Sequence, residues 1–252
     1  MNIVLIGTGN TASVLGRKLK AAGHTIAQIY GRDATAASEL AYILDSESTN
    51  YWSVVTRDAD IYLLAVSDIA IEELVQELHL PAKTVVHTAA SVPKSVLAAA
   101  STHYGVFYPL QSLIKTAALL PDIPVIIDAS DDATLQLLEE LGDSISTQVV
   151  EASDEVRAKL HLAAVFCNNF VNHVYTLMEQ YCKEEQLDFQ LLLPLIKETS
   201  ARVQSVAPSG AQTGPALRND EATIQRHLQL LAQHPRLKDF YLLFTKSIQA
   251  PF

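Results

Sequence analysis

Short apolar, β-branched runs alternate with stretches of helical periodicity from Asn2 to about Val150. This alternation predicts a doubly wound, mostly parallel sheet of the α/β class. The predicted strands have the sequences NIVLI, TIAQIY, DIYLLAV, TVVHTA, GVFYPL, IPVIID and ISTQVV. The predicted helices between them are Asn10–Ala22, Ala34–Leu44, Ile69–Leu78, Pro93–Ala100 and Asp132–Leu141. The last strands are also compatible with antiparallel pairs at the edge of the sheet.

The pattern changes after the segment EASDEV. Residues 155–186 contain no Gly or Pro and follow one continuous helical pattern. Further helices are predicted at residues 189–206, 221–233 and 238–249. We therefore predict two domains, a Rossmann-like domain at residues 1–152 and an all-helical domain at residues 153–252.

Composition narrows the range of functions. Hydrophobic residues make up 49% of the 252 residues, which is typical of a well-packed globular chain. The net charge of -10 argues against binding to nucleic acid or to anionic membranes, because both favour clustered Lys and Arg. No apolar run approaches the roughly 20 residues of a membrane span. No basic, apolar leader precedes the first strand, so we expect a cytoplasmic location. We predict no metal site.

The first strand runs into the sequence Gly7-Thr8-Gly9-Asn10-Thr11-Ala12, which fits the pattern G-x-G-x-x-A. In this pattern the first glycine makes a tight turn, the second lets the backbone approach a pyrophosphate, and a small third residue permits close helix packing. The helix N-terminus then presents unpaired N–H groups to phosphates. The segment predicts a dinucleotide site, and the alternative is a tight glycine turn without a ligand.

The end of the second strand indicates which dinucleotide binds. NAD-preferring folds usually place an acidic residue there, on the ribose 2′-hydroxyl. This chain has Gly31 and Arg32, and an arginine suits the 2′-phosphate of NADP(H). Asp33 could contact a ribose, but we interpret it as the N-cap of the next helix.

Two further loops follow strands at the edge where the cofactor would lie. The end of the first strand and its loop carry Ala65, Val66, Ser67 and Asp68, and the end of the second strand carries His87. We predict that these residues contact the cofactor. For Asp68, capping of the following helix is an equally good interpretation.

The long helix near residue 160 carries unusual polar residues. At about 100° per residue, His161, Asn168 and Asn172 fall within roughly 60° of one another. Such a stripe must be satisfied by hydrogen bonds, either in a substrate cleft or within a structural network. We predict His161, Asn168 and Asn172 as catalytic residues, because an imidazole titrates near neutral pH and the amides can orient a ligand.

Substrate contacts are predicted from two other segments. Tyr108 lies near the end of the strand GVFYPL and Gln111 directly follows it, while Thr213 and Arg218 lie in the loop QTGPALRND. Arg218 suits a carboxylate or phosphate, although a plain salt bridge is the alternative. Asp220 is most simply the N-cap of the next helix.

The chain resembles a family of Rossmann-like NADP oxidoreductases. The resemblance is carried by the glycine turn together with the segments AVSD, VVHTAAS, VFYPLQS, HLAAVFCNNFVNHVY and TGPALRND. That family is distantly similar to pyrroline-5-carboxylate reductases and β-hydroxyacid dehydrogenases. The resemblance implies an NADP-binding N-terminal domain, a helical C-terminal domain that helps to form a homodimer, and an active-site cleft between them. The hydroxyacid dehydrogenases carry a catalytic Lys and Asn one helical turn apart, whereas Lys159 is followed at that spacing by Ala163. Their mechanism is therefore not carried over.

These observations favour an NADPH-dependent reductase of a small C=O or C=N substrate. The alternative is a non-catalytic NADP(H)-binding module that senses redox state through its dimer or a protein partner. A scaffold with a vestigial nucleotide site is a third possibility.

Overall fold

The computed structural model describes residues 1–250. Its eight strands form one sheet and are β1 Asn2–Ile6, β2 Thr25–Tyr30, β3 Glu47–Thr49, β4 Ile61–Leu64, β5 Thr84–His87, β6 His103–Pro109, β7 Val125–Ala129 and β8 Val149–Glu151. Their order is β3-β2-β1-β4-β5-β6-β7-β8. All neighbours are parallel except β6 and β7, which are antiparallel, as the sequence allowed. The predicted Rossmann-like class is confirmed.

The helices are α1 Asn10–Ala21, α2 Ala34–Leu44, α3 Asp68–Glu77, α4 Asp132–Asp143, α5 Asp154–Ala164, α6 Val171–Glu184, α7 Leu193–Arg202, α8 Pro208–Ala211, α9 Glu221–Leu230 and α10 Pro235–Gln249. Within residues 1–250, no helix combines the length and apolar character needed to cross a bilayer.

Alternating side chains of the strands supply two hydrophobic layers. Ile3 and Leu5 of β1 pack with α1, α2 and α4, whereas Val4 and Ile6 pack with α3 on the opposite face. Since successive residues of a strand point to opposite faces, an unbroken apolar strand such as NIVLI fits a sheet covered on both sides. The strand order runs outward from β1 to β3 on one side and from β4 to β8 on the other, so the direction of winding reverses between β1 and β4. The carboxyl ends of these two strands therefore border a crevice suited to a ligand.

Several predicted elements differ from the observed ones. The short strand β3 was not predicted, and residues 94–99 form a 3₁₀ helix instead of an α-helix. The predicted continuous helix over residues 155–186 is interrupted by a π-helical segment at Val165–Phe170. Its i→i+5 hydrogen bonds widen the turn and reduce the rotation per residue. The constant 100° rotation that placed His161, Asn168 and Asn172 on one stripe therefore does not hold through this segment.

The chain divides into two compact units, one spanning Met1–Asn169 and the other beginning at Phe170. The first contains the whole sheet together with α5. The second contains α6 to α10 and is helical throughout. The domain boundary between residues 152 and 153 stays a prediction.

Candidate functional site

The glycine turn after β1 has a conformation that only glycine accommodates well. Gly7 has φ +123°, and a Cβ there would lie 2.2 Å from the carbonyl oxygen of Ala65. Its N–H donates to the carbonyl of Tyr30 at 2.8 Å, which ties the turn to the end of β2. Gly7 is therefore restricted both by its backbone dihedral and by the neighbouring strand.

Gly9 serves a different purpose from Gly7. A Cβ at Gly9 would meet nothing within 4 Å, so the missing side chain leaves open space beside the backbone. No side chain caps α1, which begins at Asn10. The N–H groups and the positive end of the helix dipole therefore remain available to an anion at this point.

A cavity of about 570 Å³ opens at this turn. It lies at the carboxyl ends of β1, β2 and β4, and its lining residues come from the glycine turn, the end of β2, the β4–α3 loop and α3. The lining consists of Gly7, Thr8, Gly9, Asn10, Thr11, Tyr30, Gly31, Arg32, Asp33, Ala65, Val66, Ser67, Ala70, Glu73, Leu74 and Glu77. Ten of the predicted cofactor residues thus lie around one cavity. Ala12 is buried in the core, as close packing of α1 requires.

One end of the cavity is charged. Arg32 Nη1 lies 3.9 Å from Glu73 Oε2, and both side chains are largely exposed. Asp33 caps α2 by accepting hydrogen bonds from the N–H groups of Thr35 at 2.8 Å and Ala36 at 3.2 Å. The interpretation of Asp33 as an N-cap is confirmed. Arg32 therefore faces an acidic partner on α3 that was not recognised in the sequence.

Besides Ala12, two predicted cofactor residues do not line the cavity. Asp68 is the first residue of α3 and is exposed, and its side chain does not cap the helix. His87 is fully buried at the end of β5, where its Nδ1 accepts a hydrogen bond from the N–H of Ala89 at 3.2 Å. Burial and the nearby charge of Arg157 lower the pKa of His87 from 6.5 to about 4. His87 is therefore a neutral part of the protein interior at neutral pH.

Tyr108 and His161 form a pair in the first unit. The Oη of Tyr108 lies 3.0 Å from Nδ1 of His161, with the two rings edge to face. Tyr108 belongs to β6, and His161 lies in the last turn of α5. Burial raises the pKa of Tyr108 above 10.0, so the phenol carries its proton at neutral pH. The structure brings together a residue predicted as catalytic and one predicted as a substrate contact.

The register of the sheet places Tyr108 at the same edge as the cavity. Leu64 pairs with both Ile6 and His87, and His87 pairs with Val106. The cavity residues Gly7 and Ala65 directly follow Ile6 and Leu64, and Tyr108 lies two residues beyond Val106. The phenol is thus at the carboxyl edge of the parallel strands, where ligands of such sheets bind.

Arg157 was not predicted as a functional residue, yet it is one of the largest fully buried side chains. Its Nε donates to the carbonyl of Ala90 at 3.0 Å, and its Nη2 donates to the carbonyl of Val92 and to Asp154 Oδ1. The spacing of Asp154 and Arg157 at i and i+3 was the only available sign of this cluster. The same spacing is common on exposed helix faces, so it does not indicate burial.

The other predicted site residues form no hydrogen bond with this pair within the described part of the chain. Asn168 and Asn172 are exposed, and so are Gln111, Thr213 and Arg218. The side chain of Gln111 donates to the carbonyl of Asp122 at 3.3 Å. Asp220 caps α9 through the N–H of Thr223 at 3.1 Å, which confirms that interpretation. In residues 1–250, no group of three or more His, Cys, Asp or Glu side chains could hold a metal ion.

Comparison with solved structures identifies the family. A Bacteroides fragilis protein assigned as an NADP oxidoreductase is 39% identical to this chain, with a TM-score of 0.90. The match covers 98% of this chain and 97% of that one. The chain belongs to this NADP oxidoreductase family. Residues 2–91 of the oxidoreductase match the family described as NADP oxidoreductase coenzyme F420-dependent, and residues 123–248 match a domain of unknown function, DUF2520.

More distant structures share the fold of this oxidoreductase. A Thermotoga maritima protein is 18% identical, with a TM-score of 0.78 and coverage of 98% of this chain and 100% of that one. A 1-pyrroline-5-carboxylate reductase from Streptococcus pyogenes is 14% identical, with a TM-score of 0.68 and coverage of 99% and 98%. No curated protein matches the sequence. The NADP oxidoreductase resemblance predicted from the sequence is confirmed, and the similarity to pyrroline-5-carboxylate reductases is one of fold.

The cavity of the oxidoreductase fits a dinucleotide. The open space at Gly9 and the uncapped start of α1 provide a place for a pyrophosphate, and Arg32 provides a cation at the ribose end.

Proposed function

We propose that this NADP-dependent oxidoreductase reduces a small C=O or C=N substrate and that Tyr108 delivers the proton. The observation that carries the proposal is the hydrogen bond between Tyr108 and His161 at the cofactor edge of the sheet. When bound, NADPH would supply a hydride to the substrate carbon. The electron pair of the broken C=O or C=N π bond moves to oxygen or nitrogen, which takes the proton from Tyr108 Oη.

Binding of the coenzyme would rest mainly on the backbone. The N–H groups at the start of α1 would hold the pyrophosphate, and the guanidinium of Arg32 would bind the 2′-phosphate after leaving Glu73. Thr8, Asn10, Thr11, Val66 and Ser67 line the same cavity and would border the bound dinucleotide. Asp68 and His87 stay predicted contacts.

His161 would support the proton transfer. With Nδ1–H donating to the Tyr108 oxygen, His161 stabilises the phenolate that forms as the proton leaves. The imidazole is partly exposed, so it can take up a proton from water and return it to Tyr108. Orientation of the substrate by Asn168, Asn172, Gln111, Thr213 and Arg218 stays a prediction.

Turnover of two simple probes tests the proposal. NADPH oxidation is followed by absorbance with the cyclic imine pyrroline and with pyruvate. We expect Tyr108→Phe to lower kcat about 10²- to 10⁴-fold, the range for loss of a general acid, while NADPH binding is unchanged. Tyr104→Phe on the same strand is the matched control, because the Tyr104 hydroxyl makes no hydrogen bond within residues 1–250, where only its backbone N–H bonds a side chain, Ser130 Oγ.

Two results would contradict the proposal. Full activity of Tyr108→Phe would remove the phenol from the reaction. Tight NADPH binding without turnover of either probe, together with a coenzyme-dependent change in oligomeric state, would favour the redox-sensing alternative.

We also propose that the oxidoreductase is a homodimer joined through its second unit. Among the described residues of that unit, only Leu177, Cys182, Ala216, Ile224 and Thr245 are buried. By contrast, Leu191 and Leu195, four residues apart, are 76% and 64% exposed. A helical unit of this size with so little buried apolar surface needs a further surface to pack against, and a second copy supplies one.

Sedimentation equilibrium tests the dimer. Leu191→Glu should shift the protein from dimer to monomer, because a charge would be buried in the interface. Leu119→Glu is the control, since Leu119 is a leucine of the first unit with an even more exposed side chain. A wild-type protein that remains monomeric at micromolar concentration would contradict the proposal.

A further inference from the structure

We propose that Arg157 is a positioning residue of the reduction, which acts through Tyr108 by fixing its surroundings and by stabilising the phenolate. This inference rests on the proposed role of Tyr108 as the proton donor. It concerns a residue that touches neither the coenzyme cavity nor the exposed surface.

The burial of Arg157 requires an explanation. The side chain is fully buried, although removing a guanidinium from water costs several kcal/mol unless it is paired. Among the residues that the structure describes, its one ion-pair partner is Asp154, whose side chain is 38% exposed and whose Oδ1 lies 2.7 Å from Nη2. Nη1 is buried and has no hydrogen-bond acceptor among the described residues. The positive charge is therefore only partly compensated inside the first unit.

Arg157 also connects the two elements next to the proton donor. Its hydrogen bonds to the carbonyls of Ala90 and Val92 hold the loop after β5 against α5. Ala90 belongs to the small apolar cluster that includes Tyr108. His161 lies four residues after Arg157, on the same face of α5. One side chain thus links the loop that packs on Tyr108 to the helix that carries its hydrogen-bond partner.

A second set of contacts holds the same loop in place. The backbone N–H of Lys94 donates to Asp154 Oδ1 at 3.1 Å, and its Nζ donates to the Ala129 carbonyl at 3.0 Å and to Asp128 Oδ1. Asp154 is therefore shared between Arg157 and the end of this loop. These contacts tie the loop that surrounds the guanidinium to α5 and to β7, the strand paired with β6.

The charge of Arg157 acts on the phenol of Tyr108. Burial raises the pKa of Tyr108, and the positive charge of Arg157 lowers it, against the effect of burial. A phenolate formed in this apolar setting needs a nearby cation or donor, because water is largely excluded. Arg157 supplies the cation, and His161 supplies the hydrogen bond.

Nuclear magnetic resonance can test this without any substrate. Full-length protein is labelled at the tyrosine ring carbon bonded to oxygen, and the Tyr108 signal is assigned by its absence in Tyr108→Phe. We expect Arg157→Met, which keeps most of the side-chain volume, to raise the pKa of Tyr108 above the wild-type value, because the positive charge that lowers it is lost. Arg157→Lys, which keeps the charge and loses the guanidinium fork, should lie between the wild type and Arg157→Met.

Asp154→Asn supplies a test in the opposite direction. Removing the counter-charge leaves the field of Arg157 less compensated, so the pKa of Tyr108 should fall below the wild-type value. This variant also decides the matter if Arg157→Met does not fold. An unchanged Tyr108 pKa in folded Arg157→Met, or an unchanged or raised one in Asp154→Asn, would overturn the inference.

Failure of this inference differs from failure of the proposed function. Full turnover by Tyr108→Phe would remove Tyr108 from the reaction whatever its pKa. If the pKa of Tyr108 does not change in Arg157→Met while turnover is lost in Tyr108→Phe, Tyr108 is still the proton donor and only the role of Arg157 is contradicted.

Discussion

The coenzyme cavity and the Tyr108–His161 pair lie at the same edge of one sheet but are built in different ways. The cavity is formed largely by short consecutive segments, of which the turn from Gly7 to Thr11 is the main one. The pair joins β6 to α5 across 53 residues of sequence, and Arg157 adds the loop after β5. The first depends on backbone conformation, and the second on how separate elements pack. Substitutions should therefore damage the two parts through different physical effects.

The largest effect is expected at Gly7, in the turn whose backbone lines the coenzyme cavity. In Gly7→Ala the new methyl group would meet the Ala65 carbonyl at 2.2 Å, and the residue would have to keep φ near +123°. We expect a cost of about 3 kcal/mol or more, seen as a large drop in Tm. If the turn moves to relieve the clash, NADPH affinity should fall roughly 100-fold, which corresponds to about that energy. Thermal unfolding and calorimetric titration with NADPH measure both.

Gly23→Ala is the matched control for that experiment. Gly23 also has a positive φ, of +90°, but a Cβ there would meet nothing within 4 Å. It should lower Tm through backbone strain and leave NADPH affinity unchanged. Wild-type NADPH affinity in Gly7→Ala would show that the turn does not hold the coenzyme.

Sequence patterns predicted the features of the fold that depend on a few consecutive residues. The segment from Gly7 to Ala12 specifies a turn by its own spacing, and Asp33 and Asp220 cap the helices that follow them. The burial of strand β1 can be predicted from its sequence, because four of its five residues are apolar. The predicted bounds of α1, α2 and α4 agree with the observed ones to within two residues for the same reason.

The remaining features depend on contacts between distant segments. Strand β3 has the sequence EST, with no apolar pattern, and forms because it pairs with β2. The π-helical segment VFCNNF has the sequence pattern of an ordinary helix, so the constant rotation assumed for the polar stripe does not apply through it. Arg157 looks like any charged helix residue, because its burial is decided by carbonyls at Ala90 and Val92 far away in the chain.

The next largest effect is expected at His87, a buried residue of the first unit, and concerns the pH dependence of stability. The pKa of His87 is lowered to about 4 in the fold, so below pH 6.5 the unfolded chain binds a proton that the folded chain does not. The contribution of His87 to the stability of the wild type should therefore fall as the pH drops from 6.5 to 4 and change little further below that. The contribution amounts to about 3 kcal/mol.

Urea unfolding across this pH range provides the measurement. The difference in unfolding free energy between the wild type and His87→Asn should shrink steadily toward acid pH. His79→Asn, at an exposed histidine, is the control and should follow the wild type at every pH. A pH-independent difference between the wild type and His87→Asn would contradict the buried, neutral state of His87.

The smallest effect is expected at the exposed end of the cavity, where the ligand and Glu73 compete for Arg32. Arg32→Ala should weaken NADPH binding about tenfold and leave NADH binding nearly unchanged, because only NADPH carries the 2′-phosphate. Arg57→Ala, at an arginine outside the cavity, is the control. An equal loss of affinity for NADPH and NADH would show that Arg32 does not bind the 2′-phosphate.

Glu73→Gln should act in the opposite direction from Arg32→Ala. Arg32 and Glu73 lie 3.9 Å apart and are 76% and 69% exposed, so their ion pair is worth less than about 1 kcal/mol. Removing the carboxylate frees Arg32 for the phosphate and also takes one negative charge from the cavity wall. NADPH affinity should therefore rise by no more than about fivefold, with little change for NADH and with a smaller gain at high salt. In Arg32→Ala/Glu73→Gln, the gain that depends on releasing Arg32 should disappear. A gain that persists there would mean that Glu73 repels the phosphates directly and does not restrain Arg32.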